Sequence, residues 1–319
     1  MFTSLRATDV IAAADRIRDL ARRTPLVRSD ALSEIAGGDV YLKLETEQIT
    51  GSFKLRGALN VLATLSPEVR ARGVVASSAG NHGLGVAHAA KHFGVAATIF
   101  VPTNAPRVKR DGIAALGATL DTTQPHYDAA MDAAKAFAAE QGATYINPCL
   151  GEMLLAGQGT VALEILGDLP ELASLVVNVG GGGLLGGCGS LVRRVAPKVR
   201  IFGAQSDHTA AMSRSLRAGR LVEIENLPTL ADGLAGQIDD DALDIGRNAL
   251  DEIVTLTEDE IRQSISWLWG THSVRAEGAG AVGPGAVLLE KFRDLPTPAA
   301  GVVSGGNIDS ERWGKIVGQ

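Results

Sequence analysis

The chain has 319 residues, of which 45% are hydrophobic and 21% charged, and carries a formal net charge of -6 at pH 7. That balance describes a globular protein of about two domains at ~150 residues each, and an acidic chain without a Lys/Arg-rich run argues against a nucleic-acid surface. Two cysteines, Cys149 and Cys188, leave no disulfide framework, no run of 18 apolar residues is present, and the N-terminus lacks a signal-peptide core; a cytoplasmic protein with no membrane partner is expected.

Short apolar runs alternate with longer amphipathic ones. Strands are expected at 40–44, 74–76, 97–101 (stopped by Pro102), 118–120, 145–146, 175–179, 199–204 and 301–303. Helical patterns fall at 83–92, 127–141, 157–167 and 258–270. This βαβα alternation predicts an α/β protein with parallel sheets and helices on both faces. Residues 50–148 are expected to form a smaller domain, facing a larger one across a shared cleft.

Four segments carry chemistry. In Thr50-Gly51-Ser52-Phe53-Lys54-Leu55-Arg56-Gly57-Ala58 a lysine stands between apolar residues at the start of an amphipathic run. Read alone, it suits an ordinary helix-start lysine with its head in water. Turned inward it would be desolvated, which favours a neutral amine able to form a Schiff base with a carbonyl. Ser77-Ser78-Ala79-Gly80-Asn81-His82-Gly83 follows a strand and opens a helix, so its N–H groups suit an anion such as a carboxylate, or simply a capped turn.

The third segment, Gly180-Gly181-Gly182-Gly183, follows a strong strand and leaves N–H groups open to a phosphate. It lacks the Gly-Lys-Ser/Thr end of a P-loop. The acidic residue that a dinucleotide fold wants about 20 positions on is also missing, since the next strand ends in Gln205. A monophosphate fits better. The fourth, Val303-Ser304-Gly305-Gly306-Asn307, ends the last strand in a small hydroxyl group. His88 and His92, four apart on one helix, lack a third metal ligand of suitable spacing.

An amine, a carboxylate loop, a phosphate loop and a hydroxyl at a strand end together ask for an aldehyde-bearing phosphate ligand and an amino-acid substrate. Pyridoxal 5'-phosphate (PLP) meets each requirement. With Thr24-Pro25-Leu26, Ala156-Gly157-Gln158-Gly159-Thr160 and Ala231-Asp232-Gly233, these motifs run along nearly the whole chain in order. The chain resembles the fold-type II PLP enzymes of the serine/threonine dehydratase and serine racemase family.

The resemblance implies a tryptophan-synthase-β-like fold of two open, twisted, mostly parallel sheets. It implies a large PLP-binding domain at 1–49 and 149–319, a small domain at 50–148, and the active site between them. Lys54 matches the Schiff-base lysine and Phe53 a residue packing beside the cofactor ring. Asn81 matches the contact to the cofactor 3-hydroxyl, Gly180, Gly181, Gly182 and Gly183 the phosphate loop, and Ser304 the partner of the pyridine nitrogen. Ser78, Ala79, Asn81 and His82 fall in the loop that receives the substrate carboxylate. The implied activity is β-elimination from L-threonine or L-serine to a 2-keto acid and ammonia, by a lyase that is a homodimer or higher homo-oligomer. The alternatives are a serine-racemase-type racemase and a dehydratase of 3-hydroxyaspartate or a bulkier β-hydroxy amino acid.

Two departures matter. Where the family's racemases carry a serine as second acid/base, this chain has Ala79, which points to elimination. Where many members hold a divalent cation with a glutamate and an aspartate, it has Gln205 and Ala211, with Asp207 nearby, so no metal is expected. The 15 residues 305–319 leave no room for a C-terminal regulatory domain, so feedback control is not expected.

Overall fold

A computed structural model describes residues 4–103, 107–225 and 227–318. Its strands are β1 Leu26–Arg28, β2 Val40–Leu44, β3 Val74–Ser77, β4 Ala97–Pro102, β5 Thr119–Gln124, β6 Thr144–Tyr145, β7 Ser174–Asn178, β8 Arg200–Ser206, β9 Glu252–Leu256 and β10 Ala299–Val303. They form two sheets, in the orders β1-β2-β10-β7-β8-β9 and β5-β4-β3-β6. The second sheet is parallel throughout, and in the first only β1 runs antiparallel, against β2. The expected pair of open, mostly parallel sheets is therefore what forms. Strands β1 and β9 were not legible as strands. Both are edge strands with partly exposed side chains, so neither shows the continuous apolar run of a strand covered on both faces.

The helix Lys54–Thr64 buries Leu55, Ala58, Leu59 and Leu62 with Val74, Ala76, Val86 and Ile99 of the four-stranded sheet and its covering helix. The helix Glu152–Asp168 contributes Leu154 to that core and Leu155, Ala156, Val161, Ala162 and Ile165 to the core of the larger sheet. It thus spans both. The two helices cross where glycines permit it: a Cβ on Gly157 would lie 2.6 Å from the Arg56 carbonyl oxygen and 2.7 Å from Gly57 Cα.

Beside this crossing lies a buried ionic cluster. The Arg56 guanidinium, 1% exposed, pairs with Glu45 at 2.8 Å and with Glu164 at 2.7 Å. Glu164 also receives Lys43 at 2.6 Å, and Thr24 donates its hydroxyl to Glu45 at 2.5 Å. Burial works against the Arg56 charge, but Glu45 and Glu164 outweigh it and hold the group above its ordinary pKa. Burial likewise works against the Glu164 charge, but Arg56 and Lys43 hold that carboxyl below its ordinary pKa. Three motifs distant in sequence, at 24–26, 51–58 and 156–160, meet here.

The carboxyl ends of β3, β6, β7 and β10 lead into Ser78–Asn81, Asn147–Pro148, Gly180–Gly183 and Ser304–Gly305, the position where open α/β sheets bind ligands. Among the described residues, no helix is long and apolar enough to cross a membrane.

Candidate active site

Lys54 is delivered by a tether to the end of β10. The Thr50–Phe53 segment turns at Gly51, whose φ of +72° suits a residue without Cβ. It then bridges Ser52 to Gly305, and Phe53 donates its N–H to the Ser304 carbonyl at 3.1 Å. Asn307 Nδ2 donates to the Thr50 carbonyl at 2.7 Å. Lys54 is the first residue of its helix and is half-buried, so the desolvation expected for it is partial. Its Nζ donates to the Pro148 carbonyl at 2.6 Å and lies 5.3 Å from the centre of the Phe53 ring. Phe53 packs into the core of the larger sheet.

The four glycines form a close-fitted cradle. Gly182 has a φ of +91° and caps the helix Gly183–Val195, so the free N–H groups of that helix end point out of the turn. A Cβ on Gly180 would lie 2.9 Å from Leu234 Cα, and one on Gly181 would lie 2.6 Å from Cys149 Sγ. At Gly180 and Gly181 no side chain fits without moving the walls, and at Gly182 the positive φ disfavours one.

Ser304 is oriented by a residue that sequence reasoning placed only as the end of a strand. Asn178, at the end of β7, accepts from Gly283 N–H at 2.6 Å through Oδ1. Its Nδ2 donates to the Val302 carbonyl at 3.1 Å and to Ser304 Oγ at 2.9 Å. Because the amide donates to Oγ, the hydroxyl hydrogen must point elsewhere. It is directed at the Ala279 carbonyl at 3.3 Å, a long contact that a better acceptor would replace. Ser304 is thereby set as a donor.

In the loop after β3, Ser78 Oγ accepts from Gly80 N–H at 3.2 Å; Ser78, Ala79, Gly80 and Asn81 are partly exposed. Asn81 opens the helix Asn81–Phe93. A Cβ on Gly83 would lie 2.1 Å from the Ser78 carbonyl oxygen, so the turn requires glycine there. His82 follows Asn81 at the start of that helix. Its imidazole is 2% exposed, with Nε2 2.9 Å from the Ile146 carbonyl and Nδ1 without a hydrogen-bond partner among the described residues. Burial, reinforced by Lys54, pushes its pKa down to about 3. A neutral imidazole therefore stands near the lysine.

Asn81 reaches two further residues that carried no role in the sequence reading. Its Nδ2 donates to Glu277 Oε1 at 2.5 Å, and its Oδ1 accepts from Asn307 Nδ2 at 2.7 Å. Glu277 caps the helix Gly278–Leu288, whose start docks on the Ser304 turn because a Cβ on Gly280 would meet the Gly305 carbonyl at 2.2 Å. The signal was present: Glu277 is an acid directly preceding an all-small, apolar run.

Away from the cleft, Gln205 Oε1 accepts from Ser213 N–H at 2.9 Å, and Ala211 begins the helix Ala211–Ala218. No group of three or more His, Cys, Asp or Glu side chains able to hold a metal occurs among the described residues. His126 caps the helix Tyr127–Gln141 through Nδ1, and Gln124 ends β5. His92 is exposed and sits edge-on to Phe93.

An amine, a cradle without side chains at a helix N-terminus, and a hydroxyl held as a donor fit the aldehyde, phosphate and ring nitrogen of PLP. The amine comes from Lys54, the cradle from Gly180–Gly183 and the hydroxyl from Ser304. Fold and site together define a PLP enzyme of the two-sheet class. The model of the family described as "Pyridoxal-phosphate dependent enzyme" matches residues 17–304, and the chain belongs to that family.

The chain is 43% identical over 310 residues to an L-threonine ammonia-lyase of Thermotoga maritima, covering 97% of this chain and 77% of that protein. The structure of maize serine racemase superposes with a TM-score of 0.93 at 29% identity, covering 98% of this chain and 96% of that one. The processed form of threonine deaminase isoform 2 from Solanum lycopersicum gives 0.89 at 31% identity, covering 98% and 91%.

Proposed function

We propose that the chain is a PLP-dependent ammonia-lyase that removes the β-hydroxyl and the amine of a β-hydroxy amino acid, L-threonine or L-serine, to yield a 2-keto acid and ammonia. The observation that carries this reading is the Lys54 amine, held at the Pro148 carbonyl in the segment that walls the glycine cradle, with a methyl group at Ala79 in the loop after β3. The Thermotoga maritima relative, named as an L-threonine ammonia-lyase, supports it.

PLP, when bound, supplies an aldehyde that takes an amine and a conjugated ring that withdraws electrons from Cα. The chain's own residues do the rest. Lys54 would hold the cofactor through its amine, and that amine, when free, would take the Cα proton at Nζ. The glycine cradle binds phosphate through N–H groups. Ser304, oriented by Asn178, would donate to the ring nitrogen and, as a weak acid, would not protonate it. Ser78, Asn81 and the backbone at His82 receive the substrate carboxylate. Phe53 packs beside the ring. The enamine left after the hydroxyl departs hydrolyses to the keto acid and ammonia.

A second reading, amino-acid racemisation, is favoured by the similarity to maize serine racemase, but Ala79 offers no proton for the opposite face of Cα. The reading includes a small domain at 50–148, a large one at 1–49 and 149–319, a homo-oligomer and a cytoplasmic location. The test is a panel of threonine, serine, both 3-hydroxyaspartate diastereomers and phenylserine, assayed for keto acid and ammonia with PLP present. Threonine or serine should turn over fastest, and absence of ammonia from every member would refute the proposal.

A further inference from the structure

Both ends of the Asn81 amide are fixed. The Thr50 carbonyl can only accept, so it orients Asn307 with Nδ2 inward; that same Nδ2 donates to Asn81 Oδ1 at 2.7 Å. On the other side Asn81 Nδ2 donates to Glu277 Oε1 at 2.5 Å. Glu277 is 5% exposed, and its position is set by its own N–H donating to the Gly305 carbonyl at 3.1 Å. The amide thus has its oxygen occupied and one of its two N–H bonds committed. One N–H remains to act. The nitrogen itself lies beside Gly305, where a Cβ would sit 3.1 Å from Asn81 Nδ2 and 2.6 Å from Glu277 Oε1, directly next to Ser304.

We propose that Glu277 is a positioning residue that holds Asn81 so that an N–H, and not the amide oxygen, faces the ring oxygen of bound PLP. The inference rests on the reading of Asn81 as a cofactor contact. A donor at that oxygen stabilises its anionic form, with the proton on the lysine-linked nitrogen, over the neutral hydroxyl form. An amide turned through half a rotation would present an acceptor and favour the opposite form. Glu277 therefore acts on the proton balance of the resting holoenzyme through Asn81, which it contacts directly.

The experiment is the absorbance of holoenzyme at fixed pH, as the ratio of the long-wavelength (yellow) band to the near-ultraviolet band, with cofactor content measured separately by release in acid. Glu277→Ala and Glu277→Met should each bind PLP yet lower the ratio by about threefold to tenfold, the shift an ordinary net hydrogen bond can supply. In an Asn81→Ala background the same substitutions should change the ratio no further. Should neither Glu277 variant fold, Asn307→Ala decides, because it frees the other end of the amide and should move the ratio in the same direction. An unchanged ratio in the folded Glu277 variants, or an undiminished effect without Asn81, would overturn the inference. So would an unchanged ratio in Asn307→Ala where that variant has to decide. A wild-type protein with no yellow band that Lys54→Ala removes would mark failure of the cofactor assignment instead.

Discussion

Lys54 Nζ donates to the Pro148 carbonyl, 94 positions further along the chain, at 2.6 Å. The bond joins the start of one helix to the segment that walls the glycine cradle, since Cys149 follows Pro148 and its Sγ lies against Gly181. Lys54→Ala should abolish lysine-linked cofactor absorbance and lower turnover by at least about a hundredfold to ten-thousandfold, the contribution of a positioned proton-transfer group. Spectral titration with PLP and an ammonia assay check it, and the variant should keep its melting temperature within a few degrees.

Arg56 carries a different kind of weight. Glu45 beside it is fully buried, and Glu164 is partly buried. Arg56→Ala would strand these carboxylates, and stability should fall by about 3–5 kcal/mol. Arg56→Lys should recover only part of this, because one ammonium cannot bond both carboxylates as a planar fork does. Urea unfolding of the apoprotein measures both variants.

His82 sets an acid limit. Its pKa is about 3 in the folded chain against 6.5 for a free imidazole, so between those values the unfolded chain binds the extra proton. Its contribution to stability is intact above pH 6.5 and is lost as pH falls towards 3. The melting temperature of wild type should drop over that window more steeply than that of His82→Gln. Parallel curves for the two proteins would contradict the assignment.

The two cysteines should react differently. Burial pushes the Cys188 thiol up to about 12, whereas Cys149 is half-buried at the edge of the cradle. A maleimide should label Cys149 and spare Cys188 in the native protein, with loss of activity and protection by bound PLP. Mass spectrometry of tryptic peptides identifies the modified thiol.

Ala79 tests the division between elimination and racemisation. Ala79→Ser restores a hydroxyl to the loop after β3, and D-amino acid should become detectable from L-serine by chiral chromatography while ammonia release falls. D-product from the unmodified enzyme at a rate matching ammonia release would reverse that conclusion.

Local order settled much of this protein. The strands that became the sheet interiors, β2, β3, β4, β7, β8 and β10, were legible because a strand covered on both faces is an unbroken apolar run. Lys54, the tetraglycine and Ser304 were legible because amine, bare backbone and hydroxyl are each written in one residue type next to a strand or turn signal. Of the edge strands, β5 and β6 were legible only in part and β1 and β9 not at all, since a strand covered on one side only shows no unbroken apolar run.

Orientation was decided by tertiary structure alone. Nothing near position 82 indicates that its imidazole turns inward to the Ile146 carbonyl, and nothing near Ser304 indicates that Asn178, 126 positions away, makes it a donor. Asn81 likewise has its amide fixed by residues 196 and 226 positions distant. Residue type and neighbouring turns determine which groups can react. The direction in which each hydrogen points depends on partners brought together when the two sheets pack, because a hydrogen bond is made by proximity in space and carries no mark in local sequence.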